Sequence, residues 1–320
     1  MNGQRLRPLG VGDVFDEGFD LYKRNFVFLL LTAAVIMVPL DIGVAFATPR
    51  LLPPLYNLFN LTTSAGDAFG ASLVRLLMDT VFALPLSLLA AAPLVAACSA
   101  LYLDRPVTLR QVYGHCLRRL PGLMGAVALG CLALDVGVGL CVVGGAIAAT
   151  LYPFSLHTLL MEGRSGIGAL KRSAGLVSGF GSRIFGCLIL INLIVWAIQL
   201  GLSLPLDYFF STILNFTPSS FGALGNTAAD MTTRGLIVHA ITGGLGDLLL
   251  TPFIVCLVTA LYYDLRVRKE GYDVELMAEG LNYPPLSALG PFLPPVAMYL
   301  PPRPLAPGPP PQMPYQGGPR

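Results

Sequence analysis

Charge is scarce in this chain. Asp, Glu, Lys and Arg together make up 12% of its 320 residues, against about 25% in an ordinary soluble domain. The apolar types reach 54%, and the mean hydropathy is +0.69. No soluble core needs that many apolar side chains, so a lipid bilayer is the economical destination for them. The net charge of +2 is too small to mark a nucleic-acid surface, and no nucleic-acid partner is expected.

Catalytic residue types are equally sparse. There are three histidines, His115, His157 and His239. The sequence contains no HExxH, no GxSxG, no phosphate-binding loop of the GxxxxGK[ST] kind and no paired Glu inside an apolar run. No polar stretch is long enough to hold a catalytic domain. These absences predict a protein that is not an enzyme, with no catalytic residue, cofactor or metal ion. The six cysteines (Cys98, Cys116, Cys131, Cys141, Cys187 and Cys256) are scattered without a CxxC pair and read as small buried hydrophobes. An early secretory apolar region is not expected either, because Asp13, Asp16, Glu17 and Asp20 interrupt the first 25 residues.

What the chain does have is a unit that occurs three times, and self-similarity of this size has to be read before anything else. A short amphipathic basic stretch leads into a long apolar stretch that folds back. The copies start at DVFDEGFDLYKRNF (Asp13), TLRQVYGHCLRRLP (Thr108) and GIGALKRSAGLVSGFGSRIF (Gly166). They close with PLVAACSALYLD (Pro93), PFSLHTLLMEGR (Pro153) and PFIVCLVTALYYDLR (Pro252). At about 20 apolar residues per crossing, this predicts an all-α integral membrane fold. Six transmembrane helices form three hairpin repeats, each preceded by a cytoplasmic amphipathic helix. The expected spans are 26–46, 71–103, 121–138, 140–161, 183–204 and 236–263. Residues 1–25 form the first amphipathic segment, 265–283 a juxtamembrane segment and 284–320 a Pro-rich disordered tail.

Seventeen of the 20 Lys and Arg residues fall on one side of these spans, leaving Arg50, Arg75 and Arg234 on the other. The positive-inside rule then puts both termini and all three amphipathic segments in the cytoplasm, with the chain in the cell membrane. The basic residues Lys23, Arg24, Arg118, Arg119, Lys171, Arg172, Arg266, Arg268 and Lys269 are the expected contacts to anionic lipid. The outer loops, about 48–70 and 205–235, each hold an N-x-T triplet (Asn60 and Asn215), which reads as coincidence in a polar loop.

Intramembrane carboxylates are functional-site candidates by default. Asp41, Asp79, Asp135 and Asp247 qualify, and they form the candidate polar vestibule. Counted from the inner basic residues, Asp41, Asp135 and Gln199 all lie about 25 Å across, at 1.5 Å per residue. Arg75 and Asp79, four apart, would pair on one helix face. The Gly243–Asp247 stretch, GGLGD, reads as a close-packing surface between helices. The tail carries 14 prolines between Pro284 and Pro319 with repeated PxxP spacing. It cannot pack a core and samples polyproline II, which reads either as a flexible tail or as a docking site for a Pro-reading cytoplasmic partner.

Three stretches, RPLGVGDVFDEGFDLYKRNF (Arg7–Phe26), ALKRSAGLVSGFGSRIFGCLIL (Ala169–Leu190) and TALYYDLRVRKEGYDVELM (Thr259–Met277), resemble a bacterial and archaeal membrane family. It is the one similar to the membrane domain of glycerophosphoryl diester phosphodiesterase. The likeness spans roughly Arg7 to Glu279. It implies a six-helix membrane module that some relatives fuse to a catalytic barrel with His, Glu and Asp. The residues after Glu279 contain no His, so phosphodiesterase activity is not expected here. The leading expectation is a non-enzymatic multi-pass protein that organises lipids or partner proteins. The alternative is a small-molecule or lipid transporter or channel using the intramembrane carboxylates. An intramembrane enzyme using the histidines ranks last.

Overall fold

The computed structural model describes residues 9–58, 84–140, 142–164, 166–214 and 233–271. Among the described residues the protein is helical, with no strand. Ten helices follow one another: α1 Val11–Arg24, α2 Phe26–Leu58, α3 Leu84–Tyr102, α4 Leu109–Arg118, α5 Leu120–Leu140, α6 Val142–Leu151, α7 Ser155–Glu162, α8 Ile167–Val177, α9 Gly181–Leu214 and α10 Thr233–Glu270. Five of them hold a window long and apolar enough to cross a membrane, in α2, α3, α5, α9 and α10. At 1.5 Å per residue, α2, α9 and α10 are each about 50 Å long or more, well beyond a hydrocarbon core of about 30 Å. Helix α2 continues through residues 47–58, and α9 through 205–214, where the outer loops were expected.

The centre of the molecule is built by α3, α7 and the last half of α10. From Ala90 to Ala100 every residue of α3 is buried, as is every residue from Leu156 to Leu160 of α7 and from Ala260 to Arg266 of α10. Ala90, Ala91, Ala92, Ala96, Ala97 and Ala100 make α3 thin, so its neighbours approach closely. The Tyr102 ring stacks flat on Tyr263 at 4.9 Å, and the Cys98 and Cys256 sulfurs lie 3.4 Å apart. His157 of α7 shares a hydrogen bond with the Thr259 hydroxyl of α10 at 3.0 Å.

Helix α1 runs antiparallel along this half of α10. Leu9 meets Asp264, Gly18 meets Leu257, Phe19 and Tyr22 meet the Phe253 ring, and the Tyr22 hydroxyl donates to the Leu249 carbonyl at 3.0 Å. A Cβ at Gly18 would stand 2.5 Å from the Leu257 Cδ2 and 3.0 Å from its Cα, so the glycine sets the helix separation. Asn25 ends α1, its N–H bonding back to the Leu21 and Tyr22 carbonyls.

The segment expected as a fourth span, 140–161, is divided into α6 and α7 with a break at Tyr152–Phe154. Pro153 has no N–H to donate, so one rung of the helix ladder is lost there, although α3, α9 and α10 run on through Pro93, Pro205 and Pro252. Ser173 of α8 satisfies both freed groups: its hydroxyl donates to the Leu151 carbonyl at 2.8 Å and accepts the Phe154 N–H at 3.2 Å. Neither piece alone is long enough to cross a membrane.

Candidate functional site

Two ion networks flank the end of α10. In the first, the fully buried Asp264 carboxylate accepts from Arg268 at 2.9 and 3.1 Å and pairs with Arg183 at 3.0 Å. It also accepts the Leu9 N–H at 2.7 Å, while Arg183 and Arg268 both donate to the Leu9 carbonyl. The backbone of Leu9, just ahead of α1, is thus gripped at both its N–H and its carbonyl. In the second network, Arg172 of α8 donates to Glu162 at 2.7 Å and also pairs with Glu270. Glu162 accepts from the Tyr262 hydroxyl at 2.9 Å, and Arg266 pairs with Glu270 at 3.2 Å. Burial works against the Arg172 charge, but Glu162 and Glu270 outweigh it and hold the guanidinium above its usual pKa.

Helix α4 serves the C-terminus of α7. The last carbonyls of a helix have no partner within it. Arg119 donates to the Leu159 carbonyl at 2.6 Å, and the His115 Nε2 bonds the Leu160 carbonyl at 3.0 Å. Gly163, with φ +71°, then turns the chain away in the left-handed region, and a Cβ there would stand 3.4 Å from the Arg119 guanidinium. Burial lowers the His115 pKa, and the Leu160 carbonyl partly offsets it. Burial also pushes the Cys116 thiol up to about 12.

The nine residues expected at lipid therefore divide. Arg119, Arg172, Arg266, Arg268 and Lys269 are engaged within the protein, Lys269 through the Gly175 carbonyl. Lys23, Arg24, Arg118 and Lys171 are exposed. A positive charge count cannot separate the two sets, because the first set is claimed by backbone carbonyls of other helices and by acids that lie one turn away or on a neighbouring helix.

The vestibule residues divide as well. Asp41 rests against α10, its Oδ2 3.2 Å from where a Gly244 Cβ would stand, and it feels the Asp247 charge. Gln199 of α9 lies over Gly246 of the same helix, with its Oε1 2.2 Å from a Cβ position there. That oxygen is buried without a partner. Asp135 does not join them. It sits on α5, one turn from Cys131, and α5 packs on α6, α3, α7 and α8. Asp79 lies outside the described residues. No group of three His, Cys, Asp or Glu side chains gathers closely enough among the described residues to hold a metal ion.

No protein-family model, curated protein or solved structure matches the chain.

The chemistry available is that of a packed interior. His157 is 2% exposed, lies between the Phe154 and Tyr262 rings, and leaves its Nδ1 buried without a partner. Its hydroxyl partner, Thr259, also donates to the Val255 carbonyl at 2.7 Å. His239 belongs to the residues whose side chains are not described. Sequence reading missed one feature: a fully buried hydroxyl five to seven residues after each of Pro153, Pro93 and Pro252, namely Thr158, Ser99 and Thr259. Its signal was present in the aligned SALY, TLLM and TALY tetrapeptides.

Proposed function

We propose that this protein is a non-enzymatic, multi-pass protein of the cell membrane that organises anionic lipid, or proteins bound to it, at the cytoplasmic leaflet. Six spans arranged as three hairpins, each led by an amphipathic helix, belong to this proposal, as do the cytoplasmic termini. The observation that carries it is the company kept by the outward basic residues. Lys23 stands one turn from Phe19, which is 52% exposed, and Arg24 precedes Phe26 and Val27, both exposed. Arg118 follows Leu117, 70% exposed, and Lys171 lies one turn from Ile167, 59% exposed. A cation beside a bare apolar side chain suits the headgroup boundary, where each Lys or Arg contributes about 1 kcal/mol with anionic lipid. A kinship of Arg7–Phe26, Ala169–Leu190 and Thr259–Met277 to the phosphodiesterase membrane module is part of this proposal and brings no activity with it. The tail, 284–320, lies outside the described residues and is proposed as a docking segment for a Pro-reading protein.

Native mass spectrometry of the protein from nanodiscs of mixed phosphatidylglycerol and phosphatidylcholine tests the lipid reading. The expected result is enrichment of phosphatidylglycerol that the K23E/R24E/R118E variant loses. Equal retention of both lipids by the unaltered protein would sink it.

A second reading, a transporter or channel, is favoured by Asp41 and Gln199 lying on Gly244 and Gly246, two residues apart on α10 and close to Asp247. A proton leak in proteoliposomes, followed with an entrapped pH dye and removed by Asp41→Asn, would support it. A leak no faster than that of protein-free liposomes counts against it.

A further inference from the structure

We propose that Cys98 and Cys256 are a redox-convertible pair, a modification site that can bridge α3 to α10 at the centre of the molecule. Their sulfurs are 3.4 Å apart and both residues are wholly buried. The five described cysteines are all free and buried, and this is the one sulfur–sulfur contact among them. The contact joins residues 158 positions apart, on the helices that close the first and third hairpins. Ala96, Ala97 and Ala100 surround Cys98 on α3, so small side chains let the two backbones lie close and bring the thiols to face each other.

Bridging needs the sulfurs to close to about 2.05 Å, a movement that side-chain rotation in an alanine-lined seam can supply. The step balances with a small diffusible disulfide as oxidant. One thiolate attacks it and forms a mixed disulfide, releasing a thiol. The second protein sulfur then attacks the mixed disulfide and displaces the other thiol. Two S–H bonds are lost in the protein, one S–S bond forms, and both protons end on the two released thiols. A bridge across so long a loop removes chain entropy from the unfolded protein and holds the first and last hairpins together. The inference does not depend on what the outer basic residues bind.

The test uses the full chain in detergent micelles, incubated with oxidised glutathione, quenched in acid, alkylated and mapped by mass spectrometry. The expected product is a Cys98–Cys256 cross-linked peptide lighter than its two parts by two hydrogens. It should be absent from Cys256→Ala and accompanied by a higher unfolding temperature that reductant reverses. The proposal is overturned if both thiols stay reduced under conditions that oxidise the chain unfolded in dodecyl sulfate. It is equally overturned if glutathione remains attached to either sulfur, or if Cys116, Cys131 and Cys187 cross-link as readily.

Discussion

At the scale of single residues, the strongest determinant is Asp264. Its side chain is fully buried and neutralised by two arginines that keep 21% and 25% of their exposure. Removing one partner of a buried ion pair costs about 3–5 kcal/mol, because the other charge is left uncompensated. The partial exposure of both guanidiniums places Asp264→Ala near the low end, about 3 kcal/mol. The Leu9 N–H also loses its acceptor, so α1 should leave α10. Thermal unfolding in detergent should show the loss, and proteolysis within α1 should quicken; an unchanged cleavage rate would contradict the clasp. His115 gives a pH dependence with a definite sign. Burial lowers its folded pKa, so the unfolded chain binds the proton more readily. Stability is then full above the ordinary histidine value of about 6.5 and falls as the pH drops through it, down to the lowered value. His115→Gln should flatten that part of the unfolding-temperature profile. An identical acid-side slope in the variant would remove His115 as its source.

At the scale of elements, two joints decide the shape of the region from α5 to α8. Ser173 completes the break between α6 and α7, and Ser173→Ala leaves the Phe154 N–H and the Leu151 carbonyl without it. A buried polar group left unsatisfied costs about 1–3 kcal/mol, so a loss of about 2 kcal/mol or more is expected in urea titration. The other joint is the contact of Gly137 with Gly144. A Cβ at Gly137 would lie 2.8 Å from the Gly144 carbonyl carbon, and one at Gly144 would lie 2.6 Å from the Gly137 oxygen. Backbone cannot rotate aside as a side chain can, so Gly144→Ala must part α5 from α6. Overpacking of this kind costs about 1–3 kcal/mol. Gly175→Ala, whose Cβ would meet open space, is the matched control and should unfold at nearly the parent temperature.

At the scale of the whole molecule, apolar helices do two different jobs. In the α3 window 61% of residues are buried, and in the α10 window 50%, against 17% in α9 and 22% in α2. The first pair makes the protein's own core, and the second pair presents apolar surface outward, as lipid-facing helices do. Hydrogen exchange in nanodiscs should therefore find the slowest amides in 94–102 and 255–267, while the first turns of α4 and α8 exchange earlier. Protection spread evenly over all ten helices would deny the existence of a central hub.

Much of this architecture was legible in the sequence, and the limits of that legibility have a physical cause. Helix formation and the length of an apolar run are local sums over neighbouring residues, so the helical character of the described residues, and five of the six apolar runs expected to span, follow from composition and spacing. Pro153 is likewise a local signal, but whether it kinks a helix or ends it depended on Ser173, twenty positions away, supplying the missing bonds. The candidate sites were less legible. Arg118 and Arg119 are adjacent and chemically identical, yet one faces outward and the other caps α7. Asp41, Asp135 and Gln199 stand at matching depths in the sequence, yet Asp41 and Gln199 lie on α10 and Asp135 does not. The sequence by itself determined which segments are helical and which are too apolar for water. Only the tertiary structure decided which helices bury one another and which cations are spent on partners, because those outcomes turn on groups that meet in space from separate parts of the chain, from 40 residues apart for Arg119 and Leu159 to 259 for Arg268 and Leu9.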